Sequence, residues 1–288
     1  MAASEPVVYI NGEYLPQSQA TVSVLDRGFL FGDGVYEVIP VFAGKPLRLT
    51  EHLDRLQRSM HRVSLKNPLT QQEWEEIFQT LLESNPGGYR SIYLQVTRGA
   101  APIRDLSLSA DIEPTVFVMV NDIKPVDYAE LEKGIEAITV DDFRWKACDI
   151  KSVSLIANVM IRLRANEQNV MDAIMLRGGL VTEGTASNIF VVHGGVISTP
   201  PKSDCLLPGI TRDLVIELAL ANGLTVEERD IKQDELETAD EIWLTSSTRE
   251  IAPVVKLDNH VVGDGVAGEC WKKIIALYQG YKKELRNG

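Results

Sequence analysis

A chain of 288 residues, 44% hydrophobic and 24% charged, can bury one large or two moderate cores and has the balance of a globular protein. Its net charge of −12 argues against binding to nucleic acid or an anionic membrane, and it requires any anionic ligand to be held by local arginines and backbone amides against the global field. Three widely spaced cysteines, Cys148, Cys205 and Cys270, form neither a disulfide framework nor a zinc motif; with no basic-apolar signal segment and no membrane-length run, they point to a reducing cytoplasm.

Val7–Ile10, Asn11-Gly12 and Glu13–Leu15 predict a hairpin, because Asn-Gly adopts the positive φ angles of a tight two-residue turn. Val35–Phe42 and Pro46–Leu49 predict a second hairpin around Ala43-Gly44-Lys45. Thr50 is the expected cap of a helix in which Leu53, Leu56, Met60 and Val63 recur at helical spacing. A further helix over 72–83 and strands over 90–98 and 115–120 complete an α+β domain, residues 1–121. A polar stretch with Pro125, about 122–126, is the expected linker to a second domain, 127–288. There the pattern predicts a strand over 134–140 and a helix over 152–166. Hairpins are expected at Gly178-Gly179 and Gly194-Gly195, a helix over 211–221, a strand over 241–245 and a C-terminal helix over 266–285.

Two residues carry the chemistry. Lys151, in Cys148-Asp149-Ile150-Lys151-Ser152, has the amine needed for a Schiff base with a carbonyl cofactor. Glu183, in Thr182-Glu183-Gly184, is a carboxylate able to keep a pyridine nitrogen protonated, which makes the ring an electron sink. Together they suggest pyridoxal phosphate (PLP) chemistry. Two segments suit its phosphate. Pro208-Gly209-Ile210-Thr211 precedes a helix, whose first N–H groups favour anions, and Thr245-Ser246-Ser247-Thr248 places hydroxyls at a strand end. His52, His61, His193 and His260 do not fall in metal-ligand spacing, so no metal is expected.

These stretches resemble, in order and over nearly the whole chain, the fold-type IV (class IV) PLP-dependent aminotransferases, most of all the group acting on D-amino acids. The resemblance also rests on 26–38, Glu51–Leu56, Gln95–Gly99, Ser187–Phe190 and Gly209–Arg212. It implies an α/β (α+β) protein with a smaller N-terminal and a larger C-terminal domain, the cofactor in the cleft between them, and a homodimer. It implies that Lys151 carries the cofactor and then acts as general base, and that Glu183 pairs with the pyridine nitrogen. Arg55, Ile210, Thr211, Ser246 and Ser247 would hold the phosphate, Ser187 would lie near the cofactor, and Tyr36 would line the substrate side. The partners implied are an amino acid and a 2-keto acid.

One segment departs from the group. Its members follow Val-Thr-Arg-Gly with Pro-Arg-x-His, which traps the substrate α-carboxylate; this chain reads Ala101-Pro102-Ile103-Arg104-Asp105-Leu106. The arginine is one place later and an aspartate stands where the histidine would be, so Arg104 is the remaining substrate candidate there. Within the resemblance, an aminodeoxychorismate lyase-type activity and a branched-chain L-amino-acid aminotransferase are the alternatives.

Overall fold

The computed structural model describes residues 5–107 and 112–287, which fall into two compact units. The first comprises the residues up to Lys124 together with Ile150–Ser154; the second comprises Pro125–Asp149 and the residues from Leu155 onward. The short segment carrying Lys151 thus belongs to the first unit, although it follows the linker in the chain.

In order, the first unit has β1 (Val7–Ile10), β2 (Glu13–Pro16), α1 (Arg27–Phe31), β3 (Gly34–Phe42), β4 (Lys45–Pro46), α2 (Leu49–Arg62), α3 (Gln71–Ser84), β5 (Tyr89–Thr97) and β6 (Thr115–Asp122). The strands make one antiparallel sheet, β2-β1-β6-β5-β3-β4. Strand alternation decides its faces: Val35, Ile39 and Val41 are buried with Ile92, Leu94, Val96 and Val118, under the helices. Residues Tyr36, Val38, Tyr93, Gln95, Phe117 and Met119, in register on the other face, keep partial exposure. Helix α3 starts at Thr70, whose hydroxyl and Glu73 form a reciprocal capping box, and buries the stripe Trp74, Ile77, Phe78 and Leu81. Helix α2 begins one residue before the expected cap Thr50, after Arg48 in the left-handed region at φ 52°.

The second unit has α4 (Tyr128–Leu131), β7 (Ile135–Asp141), α5 (Ile156–Glu167), β8 (Asp172–Arg177), β9 (Leu180–Gly184), β10 (Asn188–His193), β11 (Val196–Thr199), α6 (Ile210–Ala221), β12 (Val226–Glu228), α7 (Gln233–Glu237), β13 (Glu241–Ser246), β14 (Glu250–Leu257), β15 (His260–Val261) and α8 (Glu269–Asn287). Its nine-stranded sheet runs β12-β11-β10-β13-β14-β7-β8-β9, with β15 on β14. In β8, Ile174 and Leu176 enter one core with Val181, Ile189, Val191 and Ile242, while Ala173 and Met175 face Ile161 and Ala165 of α5. Both faces are covered, so the interior of the strand, Ala173–Leu176, is apolar without interruption. Each such fully buried aliphatic side chain contributes roughly 1.5–3 kcal/mol.

Two expected boundaries move for tertiary reasons. The helix expected from Ser152 starts at Ile156, because Ser152 is drawn into a bridge with Val35 and Val153 donates to the Gly34 carbonyl. The C-terminal helix starts at Glu269 rather than 266, because Glu241 of β13 accepts from the backbone N–H groups of Cys270 (2.8 Å) and Trp271 (2.9 Å), a cap supplied from far away in sequence. Among the described residues no helix is long and apolar enough to cross a membrane.

Asp26 joins several elements of the first unit. It caps α1 through the Gly28 N–H (2.7 Å) and accepts from the hydroxyls of Thr97 (3.0 Å) and Thr115 (2.6 Å) at 1% exposure. Replacing Asp26 with Ala removes the cap and leaves two hydroxyls buried without their acceptor. We expect a loss of about 3 kcal/mol in urea unfolding, with Asp26→Asn retaining part of it.

Candidate active site

In the first unit, Lys151 is placed by backbone bonds on both sides. Tyr36 N–H donates to its carbonyl (2.9 Å), and its own N–H donates to Ser59 Oγ (3.2 Å). Its Nζ lies 4.2 Å from the centre of the Tyr36 ring. Tyr36 in turn packs against Tyr93, 5.7 Å between ring centres; Tyr93 donates to Gln95 (2.7 Å), and burial together with the neighbouring tyrosine pushes its hydroxyl up to about 12.

Beneath Tyr36 in the strand, the alternation aims Glu37 into the core, where it is fully buried. Helix α2 meets it with His52 and Arg55, three residues apart and therefore on one face. Arg55 forks onto Glu37, Nε to Oε1 and Nη2 to Oε2, each 2.7 Å, and His52 Nδ1 lies 2.8 Å from Oε2. Burial alone would raise the Glu37 pKa; Arg55 and His52 outweigh it and hold the carboxyl well below its usual range. Burial lowers the His52 pKa, with Glu37 acting against it. Ser59, one turn beyond Arg55, carries the same helix face on to Lys151.

The Arg104 guanidinium lies over the Phe31 ring, 4.9 Å from the centre, and the buried Arg27 lies over the same ring at 4.9 Å. Arg27 also donates to the carbonyls of Asp105 (2.6 Å) and Leu106 (3.4 Å), fixing the segment that follows Arg104. Asp105 bonds the Ser107 N–H (2.9 Å).

In the second unit, Glu183 of β9 is 6% exposed. One oxygen pairs with Arg144 Nη1 and the other accepts from the Leu207 N–H (2.9 Å). Burial raises its pKa; Arg144 acts in the opposite direction. Arg144 is itself forked on Asp142 (2.9 Å at both contacts), which also receives Arg177 (3.0 Å) and the Thr182 hydroxyl (3.0 Å). Two arginines thus balance two carboxylates. Asn188 of β10 donates to the Leu207 carbonyl (2.8 Å), so the segment leading into α6 is tied to the strand ends. Helix α6 begins at Gly209 without a side-chain cap, and a Cβ at Gly209 would overlap Asn188 Oδ1. Ile210 and Thr211, in its first turn, are buried. Asn188 pairs with Thr245 across the sheet, which puts Ser187 and Ser246 at the same end. The buried Ser187 Oγ and Thr245 Oγ1 have no hydrogen-bond partner among the described residues. Ser247 lies in the turn after β13, half-buried.

The first unit therefore brings Lys151, Tyr36 and Arg55 onto one connected set of contacts, with Arg104 stacked on Phe31. The second gathers Glu183, Ser187, Ile210, Thr211, Ser246 and Ser247 around one sheet end and one helix start. Sequence reasoning passed over Glu37, His52, Arg144 and Asn188. A glutamate at an inward position of an otherwise apolar strand was the available signal for Glu37, and the His52/Arg55 spacing was the signal for its partners. Arg144 carried none, because only the fold sets it against Glu183.

The pattern that defines amino-transferase class IV matches residues 34–257, and the chain belongs to that family of PLP-dependent aminotransferases. Among its relatives, the D-alanine aminotransferase of Bacillus licheniformis is 40% identical over 272 residues, covering 94% of this chain and 95% of the relative. That of Staphylococcus haemolyticus is 37% identical, covering 97% and 98%. The solved branched-chain amino acid aminotransferase of Escherichia coli superposes with a TM-score of 0.89 at 25% identity, covering 96% of this chain and 94% of that one. The branched-chain aminotransferase of the archaeon Thermoproteus uzoniensis, solved with norvaline, gives 0.86 at 27%, covering 97% and 95%.

Removing one member of the Glu37 cluster leaves its partners charged and buried. Glu37→Gln should destabilise the protein by about 3–5 kcal/mol near neutral pH. The folded-state pKa of Glu37 is depressed, so its contribution is present above the unfolded value of 4.5 and is lost as pH falls toward the folded one. Urea unfolding at several pH values should therefore show the gap between parent and variant narrowing on acidification below 4.5.

Proposed function

We propose that this aminotransferase moves an amino group between a D-amino acid, such as D-alanine or D-glutamate, and a 2-keto acid, using pyridoxal phosphate, as a cytoplasmic homodimer. Full-length similarity to D-alanine aminotransferases supports the substrate class. The observation that carries the chemistry is Glu183: a carboxylate enclosed in protein and held by Arg144 and the Leu207 N–H.

The residues present fit a phosphorylated heteroaromatic cofactor. The uncapped start of α6 offers backbone N–H groups, and the unpartnered Ser187 and Thr245 hydroxyls lie at the strand ends beside it. Ile210, Thr211, Ser246 and Ser247 would hold the phosphate. Arg55 would join them, its orientation fixed by Glu37, since a guanidinium carries five N–H donors in a rigid fork. When bound, the cofactor supplies an aldehyde for covalent attachment and a ring that withdraws the electron pair released at the substrate Cα.

Lys151 Nζ would form the covalent attachment, then take the Cα proton and return it elsewhere. The Tyr36 ring beneath Nζ orients the amine in both roles. Glu183 would hold a proton on the ring nitrogen: a cation beside it counteracts the burial that raises its pKa. Tyr36 lines the substrate side, and Arg104 would receive the substrate carboxylate. Dimer formation is supported by the exposed apolar residues Ile156, Val159, Met160 and Leu163 on α5, and sedimentation tests it.

A branched-chain L-amino-acid activity is the second reading, favoured by the structural similarity to enzymes of that name. Mixing the purified, cofactor-loaded protein with single D- or L-amino acids and following the cofactor absorbance separates the two. Conversion by D-alanine or D-glutamate is expected; a clear preference for L-leucine overturns the D assignment.

Lys151→Ala should lose both transamination and the borohydride-fixable link to the cofactor. Glu183→Gln should keep the fold and lose about 3–4 kcal/mol of transition-state stabilisation. A variant within about threefold of the parent, under roughly 1 kcal/mol, would mean that the ring nitrogen is held by another group.

A further inference from the structure

The turn after β13 ends in Arg249, a residue that the cofactor assignments above leave without a role. Its N–H donates to Ser246 Oγ (3.2 Å), closing the turn, and its Nη1 lies 3.2 Å from Asp172 Oδ2. The same oxygen receives Arg162 Nη2 from α5 at 3.1 Å. The other oxygen of Asp172 accepts from the Thr185 hydroxyl (2.6 Å) and from the Ala173 N–H (2.9 Å). No other carboxylate pairs with either guanidinium among the described residues.

Charge counting sets this cluster apart from the one behind Glu183. There, Arg144 and Arg177 are matched by Asp142 and Glu183. Here, two guanidinium groups share one aspartate, which leaves a surplus of one positive charge in a chain whose net charge is −12. The aspartate is sealed at 2% side-chain exposure, whereas Arg249 is open at 44% and Arg162 at 25%. Burial disfavours the charged form of Arg249; Asp172 opposes it and Arg162 adds to it, and the balance lies below the ordinary arginine value.

The turn is also held rigidly. Glu250, next in the chain, is a buried non-glycine residue at φ 59°. It is fixed by an ion pair to the buried Lys282 of α8 and by a 2.7 Å bond from the Tyr128 hydroxyl. Such backbone geometry persists only where its surroundings over-determine it. Here the effect is to hold Arg249 on one side of the hydroxyl-rich turn.

We propose that Arg249, backed by Arg162 and oriented by Asp172, is a carboxylate-binding residue for the amino-acid and keto-acid substrates. This rests on the aminotransferase reading above and names a carboxylate-binding group in addition to Arg104. A planar guanidinium with one edge fixed by Asp172 offers the rest of its fork to a carboxylate.

The test uses the cofactor-loaded aldehyde form, which binds keto acids without accepting an amino group from them. Titration calorimetry with 2-oxoglutarate and with pyruvate is compared for the parent, Arg249→Gln, Arg249→Lys and Arg162→Gln. Cofactor affinity and KM for D-glutamate and D-alanine are measured alongside. Arg249→Gln should weaken keto-acid binding and raise KM by about tenfold or more, with kcat changed far less. Arg249→Lys, which keeps the charge but loses the fork, should fall between. Arg162→Gln should also weaken binding, because Asp172 then neutralises Arg249.

Weakening of both keto acids assigns Arg249 to the α-carboxylate, and weakening of 2-oxoglutarate alone assigns it to a second carboxylate; either supports the proposal. Unchanged binding in Arg249→Gln overturns it. So does a loss confined to cofactor affinity, which would assign the arginine to the phosphate. If Arg249→Gln does not fold, unchanged binding in Arg249→Lys and Arg162→Gln overturns it equally. Failure of the underlying reading is distinct: the parent itself would then convert no amino acid.

Discussion

A carboxylate removed from water must be compensated on the spot, and buried carboxylates that meet arginines organise much of this protein. Glu37, Glu183 and Asp172 are all nearly or fully buried, and each meets at least one arginine. An ionised carboxyl without partners in a protein interior costs several kcal/mol, so the elements supplying those arginines are constrained in register and direction. Helix α2 must turn its His52/Arg55 face to β3. The segment after β7 must bring Arg144 back to β9. The turn after β13 and helix α5 must converge on the start of β8.

The same constraint keeps functional groups in defined protonation and orientation. Glu37 fixes Arg55 as a cation with its fork pointing one way. Arg144 and a backbone N–H give Glu183 two fixed contacts, so it faces the rest of its surroundings as an oriented acceptor. Lys151 is positioned by backbone bonds instead, which leaves its amine over the Tyr36 ring with no ion pair among the described residues to neutralise it. A carboxylate partner would hold a lysine in its protonated, non-nucleophilic form, whereas an aromatic face orients the side chain without an ion pair.

Much of the framework was legible in the chain because it depends on local rules. The Asn11-Gly12 and Gly178-Gly179 turns follow from backbone freedom, at φ 97° for Gly12 and at 61° and 78° for the second pair. The stripe Leu53, Leu56, Met60 follows from the helical period. The motif around Lys151 and Thr182-Glu183-Gly184 stood out by residue type. The strand Glu250–Leu257, which contains Pro253, is not among the expected elements, yet it pairs with β13 on one side and β7 on the other.

By itself, the sequence determined the family, the order of most elements and the residue types able to do the chemistry, because periodicity, turn residues and motif spacing are properties of neighbours along the chain. Only the tertiary structure decided which charges meet. It set Arg144 against Glu183, 39 residues away, and Arg249 against Asp172, 77 residues away. It capped α8 with Glu241 and stacked Arg104 on Phe31. Pairing of buried charges depends on distance in space and on exclusion of water, and neither is written in the spacing of residues along a chain.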